Sequence, residues 1–249
     1  MNWLKFIKLA RKRKIGFEVK DYSHYSRFQE FQALEILKEI ESQEIPIHNY
    51  RVLELAAGVG GYSATLYRSS KQFVSSDIYH FPNYTQHPFI DYVIFDASKK
   101  YPFDDNSFDF VFCSSLIEHV ANPGDMMQEI KRVLKGDGYL YMSFPPFYSP
   151  YGGHHLSPFH YLGEKMAIKL SKKIYGNVLD EATHYSNLWG EGRGLFVRTV
   201  KSVKEILDEY DFTVDLVWPR FLMKFNIAKI PILNELLCWH VCFICRNKK

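Results

Sequence analysis

The stretch that most constrains this chain is Val52-Leu53-Glu54-Leu55-Ala56-Ala57-Gly58-Val59-Gly60-Gly61. Residues 51–55 read as a short apolar strand, 56–61 as a turn of small residues, and 62–69 as a resumed helix. A strand running through such a turn into a helix is the opening of a βαβ unit. Small residues let a backbone approach a ligand closely, and the following helix offers free N–H groups at the positive end of its dipole. In an open parallel sheet, ligands bind beyond the carboxyl ends of the strands. The same turn also has a plain reading, as a strand-helix connection that binds nothing.

The alternation continues on both sides. Ala33, Ile36, Leu37 and Ile40 recur at helical spacing, which predicts an amphipathic helix over 28–41. Strands are expected at 73–76, ending at Asp77, at 92–95, ending at Asp96, and at 108–113. Asn122-Pro123 supplies a capping residue and a first-turn proline for a helix whose buried stripe is Met126, Ile130, Val133 and Leu134. Gly136 is expected as its left-handed stop, and 139–144 as a fifth strand. Residues 145–198, rich in Pro, Gly, His and Tyr, break the pattern and read as an insertion over the carboxyl edge of the sheet. Val203, Ile206, Leu207 and Tyr210 give a last helix, followed by strands at 212–218 and 239–244.

The fold class expected is therefore α/β: a doubly wound, mostly parallel, seven-stranded sheet with an antiparallel edge hairpin and a lid insertion after the fifth strand. The division expected is one domain, 1–249. It comprises a helical segment at 1–45, a ligand-binding core at 46–145, a lid and substrate insertion at 146–198, and a C-terminal helix and strands at 199–249.

Composition narrows the function classes. The 249 residues are 47% hydrophobic and 24% charged with a net charge of +3, so neither a disordered chain nor an electrostatic nucleic-acid binder is indicated. Three of the four cysteines crowd the C-terminus, which suits a reducing compartment better than a disulfide framework. The apolar stretch within residues 1–14 is too short for a signal peptide, and its basic cluster, Arg11-Lys12-Arg13-Lys14, follows that stretch. No apolar run approaches the roughly 20 residues of a membrane span. A cytoplasmic protein is expected. Residues 1–20 are either a helix packed on the domain or a weak contact for an anionic membrane surface.

Two cofactor readings fit the turn. Ala56, Gly58 and Gly61 make a loosened dinucleotide fingerprint, with Asp77 about 20 residues on for the ribose; that reading is a nicotinamide-dependent oxidoreductase. It is incomplete in either register, Ala56 standing for the first glycine or Ser63 for the third. The other reading starts from Glu54, a carboxylate at the end of a buried strand, which could order the glycine loop and approach a cationic ligand.

On these residues the chain resembles the class I S-adenosylmethionine-dependent methyltransferases, in their small-molecule (type 11-like) branch. Glu54, Gly58 and Gly60 match the family's acidic residue and alternating glycines, with Ala56 in place of the first glycine. The match extends through Phe95-Asp96-Ala97 and Ser115-Leu116-Ile117-Glu118-His119-Val120 to Asn122-Pro123, over roughly residues 50–145 in order. The resemblance implies a Rossmann-like fold and S-adenosylmethionine as cofactor. Asp77 would take the ribose hydroxyls, Asp96 the adenine amino group and the Ala97 N–H a ring nitrogen. Ile78, Ser114, Ser115 and His119 would stand along the same cleft. Asp77 and Asp96 also have ordinary readings as caps or turn formers, and Glu118 and His119 as surface residues opening a helix. Asp109 is expected to order the turn at 104–107.

Methyl transfer from a sulfonium needs alignment first and a base second. His154, His155 and His160, in that order, are the expected bases for a hydroxyl acceptor, or its hydrogen-bond partners; structural histidines in an aromatic loop are the alternative. Tyr185, Asn187, Trp189 and Arg193 could form a platform for a sugar or planar substrate. No metal is expected, because no carboxylate stands at ligand spacing beside these histidines. Cys238, His240, Cys242 and Cys245 read as a buried edge strand, the first three on one face. The partner expected is a small-molecule acceptor, with a sugar or other polar metabolite as the lean. A catalytically silent S-adenosylmethionine-binding module is the remaining alternative, and oligomeric state is not legible.

Overall fold

The computed structural model describes residues 23–80, 89–175, 179, 181–189, 194–220 and 226–249. The basic segment at 1–20 and Arg193 lie outside the described residues.

The chain enters the described region as helix α1 (Ser23–Ser42), longer than the predicted 28–41, with Phe28, Phe31, Ala33, Ile36, Leu37 and Ile40 buried. Strand β1 (Arg51–Leu55) follows. Helix α2 is only Ser63–Leu66, and a 3₁₀ turn, Tyr67–Ser69, completes the predicted 62–69 segment. Strands β2 (Gln72–Asp77), β3 (Asp91–Ile94) and β4 (Phe108–Ser114) come next. Helix α3 (Pro123–Val133) leads without a break into β5 (Leu134–Phe144). The insertion carries helix α4 (Glu164–Tyr175), a regular element not expected from its Pro, Gly and aromatic content. Helix α5 (Val200–Glu209), β6 (Phe212–Pro219), a short α6 (Leu233–Leu236) and β7 (Val241–Asn247) end the chain.

The seven strands form one sheet in the order β3-β2-β1-β4-β5-β7-β6. The pairs from β3 to β5 are parallel, and β7 runs antiparallel to both β5 and β6. The antiparallel pair stands at the edge, as expected, with the last strand inserted between β5 and β6. Alternate residues feed two cores because successive strand side chains point to opposite faces. Leu53, Leu55, Val111, Cys113, Leu140 and Met142 pack with α3 and α5. Val52, Phe110, Phe112, Tyr141 and Ile244 pack with α1; here Phe112 stacks on Tyr141 with ring centroids 4.6 Å apart. Both faces being covered explains why the central strands read as nearly continuous apolar runs.

The ends of α3 divide the predictions. Asn122 caps it as expected, its side chain accepting the Gly124 N–H at 3.2 Å. Gly136 is not the stop: β5 begins at Leu134, and the left-handed residue is Asp137, φ 57°. Leu134 is buried, as its place in the stripe implied, but as the first strand residue. Asp109 does not order the 104–107 turn. Its carboxylate accepts the Arg51 N–H at 2.9 Å and meets Lys135 Nζ at 2.7 Å, tying β1 to β4 and β5. The turn is held instead by Arg132, whose guanidinium donates to the carbonyls of Tyr101 and Phe103 and pairs with Asp105 and Glu129.

All four cysteines are free thiols and buried. Cys242 lies in the α1-side core, while Cys238 and Cys245 lie in the other. The expected shared face for Cys238 and Cys242 fails because β7 begins only at Val241. No helix among the described residues is long and apolar enough to cross a membrane.

Helix α5 gives a test remote from the sheet's carboxyl edge. Thr199 and Ser202 cap each other reciprocally, Oγ1 of Thr199 accepting the Ser202 N–H at 3.0 Å. Thr199→Ala is expected to lower unfolding free energy by about 1 kcal/mol, read from the denaturant midpoint at unchanged m-value.

Candidate active site

Strands β1 and β4 are neighbours, and from them the chain order runs outward in opposite directions. That is where an open α/β sheet leaves a crevice. The loop at the tip of β1 is built from left-handed residues: Ala56 (φ 53°), Gly58 (φ 57°) and Gly60 (φ 78°). Alanine here is strained by its Cβ, at a cost of about 1–2 kcal/mol. Gly58 faces open space, with nothing within 4 Å of where a Cβ would stand. Gly61 serves a different purpose. A Cβ there would lie 2.5 Å from both Gln29 Cβ and the Ser26 carbonyl oxygen, so its smallness seats α1.

A cavity of about 610 Å³ opens beyond this loop, and Ala56, Asp77, Ile78, Asp96, Ala97 and His119 are among its lining residues. Its size falls in the roughly 300–1,000 Å³ range of small-molecule sites. Asp77 does double duty: its carboxylate accepts the Gly58 N–H at 2.8 Å and the Tyr79 N–H at 3.3 Å while bordering the cavity. Burial raises its pKa, and those N–H groups oppose the rise. Asp96 likewise forms a turn, accepting the Ser98 N–H at 2.8 Å and the Ser98 hydroxyl at 2.7 Å, and borders the same cavity. Both aspartates therefore show the ordinary role and the cleft-lining position together.

Glu54 lies behind the loop and is not among the residues lining that cavity. It is 1% exposed. One carboxylate oxygen accepts from the hydroxyls of Ser63 and Ser75, and the other has no partner among the described residues. Burial pushes its pKa up to about 7, against the two serine hydrogen bonds. Gly58 and Gly60 shape the loop without lining the cavity. Ser114 is buried, its hydroxyl bonded to Ser143 and to Arg220.

A second cavity, about 460 Å³, lies under the insertion. Ser115, Tyr151, His154, His155 and His240 line it, and His119 borders both cavities. Ser115 Oγ lies 3.0 Å from His240 Nε2. Ser115 (φ 56°) and His154 (φ 49°) are strained non-glycine residues, and such strain clusters at functional sites. His160 lies outside both cavities. Its ring is 2% exposed, sits edge-on to Phe147 and fills the space Gly153 leaves, where a Cβ would be 2.4 Å from it. Nε2 of His160 is bonded to the Ser149 carbonyl at 3.2 Å.

Of the second lid portion, Trp189 reaches the site, lining the first cavity with its ring against His119, His154 and His155. Tyr185 packs on Phe147, and Asn187 accepts the N–H groups of Thr183 and His184, so both hold the insertion together.

Sequence reasoning missed Glu118 as a buried group. It opens a 3₁₀ turn, Ile117–His119, and is 1% exposed. Arg198, which donates to the carbonyls of Ile117, Val120 and Ala121, pins that turn. Burial pushes the Glu118 pKa up to about 8 and holds His119 below its ordinary value. No local spacing signals this, because the cover comes from residues some 80 positions away in the chain.

A crevice at the crossover of a seven-stranded, mostly parallel sheet, bordered by Asp77 and Asp96, defines an open α/β fold with a ligand-sized cleft at its strand tips. Residues 53–142 match the family described as methyltransferase domain. An uncharacterised methyltransferase of Mycolicibacterium vanbaalenii is 34% identical over 156 residues, covering 58% of this chain and 54% of that protein. One from Mycobacterium tuberculosis is 32% identical over 147 residues, covering 55% and 51%. The chain spans about half the length of these curated relatives. Among solved structures, an S-adenosylmethionine-dependent methyltransferase from Mesorhizobium loti aligns with TM-score 0.59 at 15% identity, over 85% of this chain and 97% of that one. The trans-methyltransferase CalH, solved in complex with SAH, aligns with TM-score 0.56 at 15% identity, over 92% and 60%; these likenesses show the fold. Over residues 53–142 the chain is similar to the methyltransferase domain family, and its fold is the one S-adenosylmethionine-dependent methyltransferases share. The nicotinamide reading has no support from these matches.

Proposed function

We propose that the protein transfers a methyl group from S-adenosylmethionine to a hydroxyl of a small polar metabolite, a sugar being the leading class. The observation that supports this reading is that two cavities share His119 as a lining residue, one bordered by Asp77 and Asp96 and the other by histidines and Tyr151. When bound, the cofactor supplies a methyl group already activated on sulfur.

The chain's own residues then have three tasks. Asp77 accepts from the ribose hydroxyls, Asp96 accepts from the adenine amino group, and the Ala97 N–H meets a ring nitrogen. Ile78, Phe95, Leu116 and Val120 supply apolar walls of the same cavity. His154 and His155 face the acceptor's space and take the hydroxyl proton. Burial lowers the His155 pKa, which keeps its imidazole neutral and able to accept near pH 7. His160, bonded within the insertion, drops out of this role.

Calorimetry with S-adenosylhomocysteine tests the cofactor half of the proposal, and no binding at millimolar ligand refutes it. Labelled-methyl turnover over a panel of sugars and other hydroxylated metabolites tests the acceptor half. Tight binding without turnover on any acceptor would favour the silent binding module instead.

A further inference from the structure

Two adjacent residues of the turn after β4 and one residue of the insertion come together at His119, which borders both cavities. One carboxylate oxygen of Glu118 and one ring nitrogen each of His119 and His154 all lie within 4.8 Å of one another. Glu118 is 1% exposed, and neither of its oxygens has a hydrogen-bond partner among the described residues. A buried carboxylate with no hydrogen-bond partner is costly unless something cationic meets it. The Arg220 and Arg198 guanidinium groups act on it only through space, Arg220 being bonded to hydroxyls and Arg198 to backbone carbonyls, and burial outweighs them.

Each of the two histidine rings is anchored through Nδ1 to a backbone carbonyl. Nδ1 of His119 donates to the Gly194 carbonyl at 2.9 Å, and Nδ1 of His154 to the Gly152 carbonyl at 3.2 Å. A carbonyl can only accept, so each Nδ1 carries the proton and each lone pair sits on Nε2. Such outer hydrogen bonds fix tautomer and ring direction at metal sites. The two rings stand edge to face, 5.1 Å between centroids, and Trp189 packs against both. His154 itself has a left-handed backbone, φ 49°.

We propose that Glu118, His119 and His154 bind one divalent first-row transition-metal ion of the zinc type where His119 borders both cavities. Two imidazoles and one carboxylate leave at least one coordination position for an outside ligand, the pattern of catalytic rather than structural sites. Zinc-type ligands stand about 2.0–2.2 Å from the ion, so the triad contracts around it on loading. Nitrogen donors favour such ions over magnesium or calcium, which prefer all-oxygen sets. With the ion bound, His154 is a ligand and no longer a base; a hydroxyl at the open position would be acidified, its proton passing to His155 or to solvent. That consequence rests on the methyl-transfer reading; the binding itself does not.

The test uses the full chain, treated with chelator and then titrated calorimetrically with Zn²⁺ and Co²⁺, with Mg²⁺ as the control. The expected result is one equivalent of Zn²⁺ per chain, visible Co²⁺ absorption bands, and no comparable Mg²⁺ binding. Glu118→Gln keeps the shape of the buried side chain, and His154→Asn removes the second imidazole. Each is expected to weaken Zn²⁺ binding by at least the roughly 10- to 100-fold that outer-sphere changes cost, with circular dichroism unchanged. Absence of saturable Zn²⁺ and Co²⁺ uptake by the natural chain overturns the proposal, as does uptake of equal affinity in both variants. S-adenosylhomocysteine binding, measured on the same samples, separates a failure of the cofactor reading from a failure of the metal site.

Discussion

Asp77→Ala is expected to weaken S-adenosylhomocysteine binding by about 10- to 100-fold. Two losses combine. The variant removes the carboxylate proposed to take the ribose hydroxyls, and a hydrogen bond to a charged group contributes about 1.5–3 kcal/mol. It also frees the Gly58 and Tyr79 N–H groups, which hold the loop tip and the start of the next segment to that same carboxylate. Asp77→Asn keeps an acceptor without the charge and is expected to fall between the two. Asp96→Ala should cost less, because Asp96 organises only its own turn with Ser98. Calorimetric titration of the three variants, each checked by thermal melt, reads the order. An unchanged affinity in Asp77→Ala would place the nucleoside elsewhere.

The second expectation concerns pH. Glu54 has a folded pKa of about 7 against an ordinary value of 4.5, because it is buried. Below pH 4.5 it is protonated whether the chain is folded or not, and it makes no pH-dependent contribution. Between 4.5 and 7 the unfolded chain gives up the proton and the folded chain keeps it. Stability must therefore fall as pH rises through this window, by about 1.4 kcal/mol per pH unit for this one group, and level off above it. Glu54→Gln retains an oxygen for the Ser63 and Ser75 hydroxyls and has no proton to lose. Unfolding free energies measured from pH 4.5 to 8 should show the natural chain declining relative to the variant by on the order of 3 kcal/mol in total. The slope is the readout, since the amide's own N–H groups change the absolute level. Parallel curves would mean that Glu54 is ionised in the folded chain throughout.

The two cavities explain why the site histidines could not be ranked from their order in the chain. His154, His155 and His160 sit within one short segment of the insertion. A few residues of backbone separate those lining the second cavity from the one that packs edge-on to Phe147. His119 was expected beside the cofactor and does border that cavity, yet it borders the other as well. This shared position exists only once the insertion folds back on the turn after β4, where Gly194 accepts from His119.

Much of the fold was legible because its signals are local. Apolar runs ending in Asp77 and Asp96, the small-residue loop after Glu54, and Asn122-Pro123 before an apolar stripe each report backbone preferences acting over a few residues. The errors came where distant packing decided. Gly136 has the residue type of a helix stop, but pairing of Leu134 with Phe108 starts the strand first. Asp109 has the residue type of a turn former, but the Arg51 N–H and Lys135 claim it. Helix α4 was missed in a segment whose Pro, Gly and aromatic content masks a short buried stripe of Ala167, Ile168 and Ser171.

By itself, then, the sequence determined the sheet, the strand tips and the loop between them, because alternation of apolar residues and the conformational range of glycine are properties of neighbours along the chain. Only the tertiary structure decided that Glu54 turns inward to two serines, that Gly61 makes room for α1, and that a buried Glu118 comes close to His119 and His154. Those outcomes depend on which surfaces exclude water from a carboxylate. That is set by side chains brought together from separate elements, and no spacing along the chain encodes it.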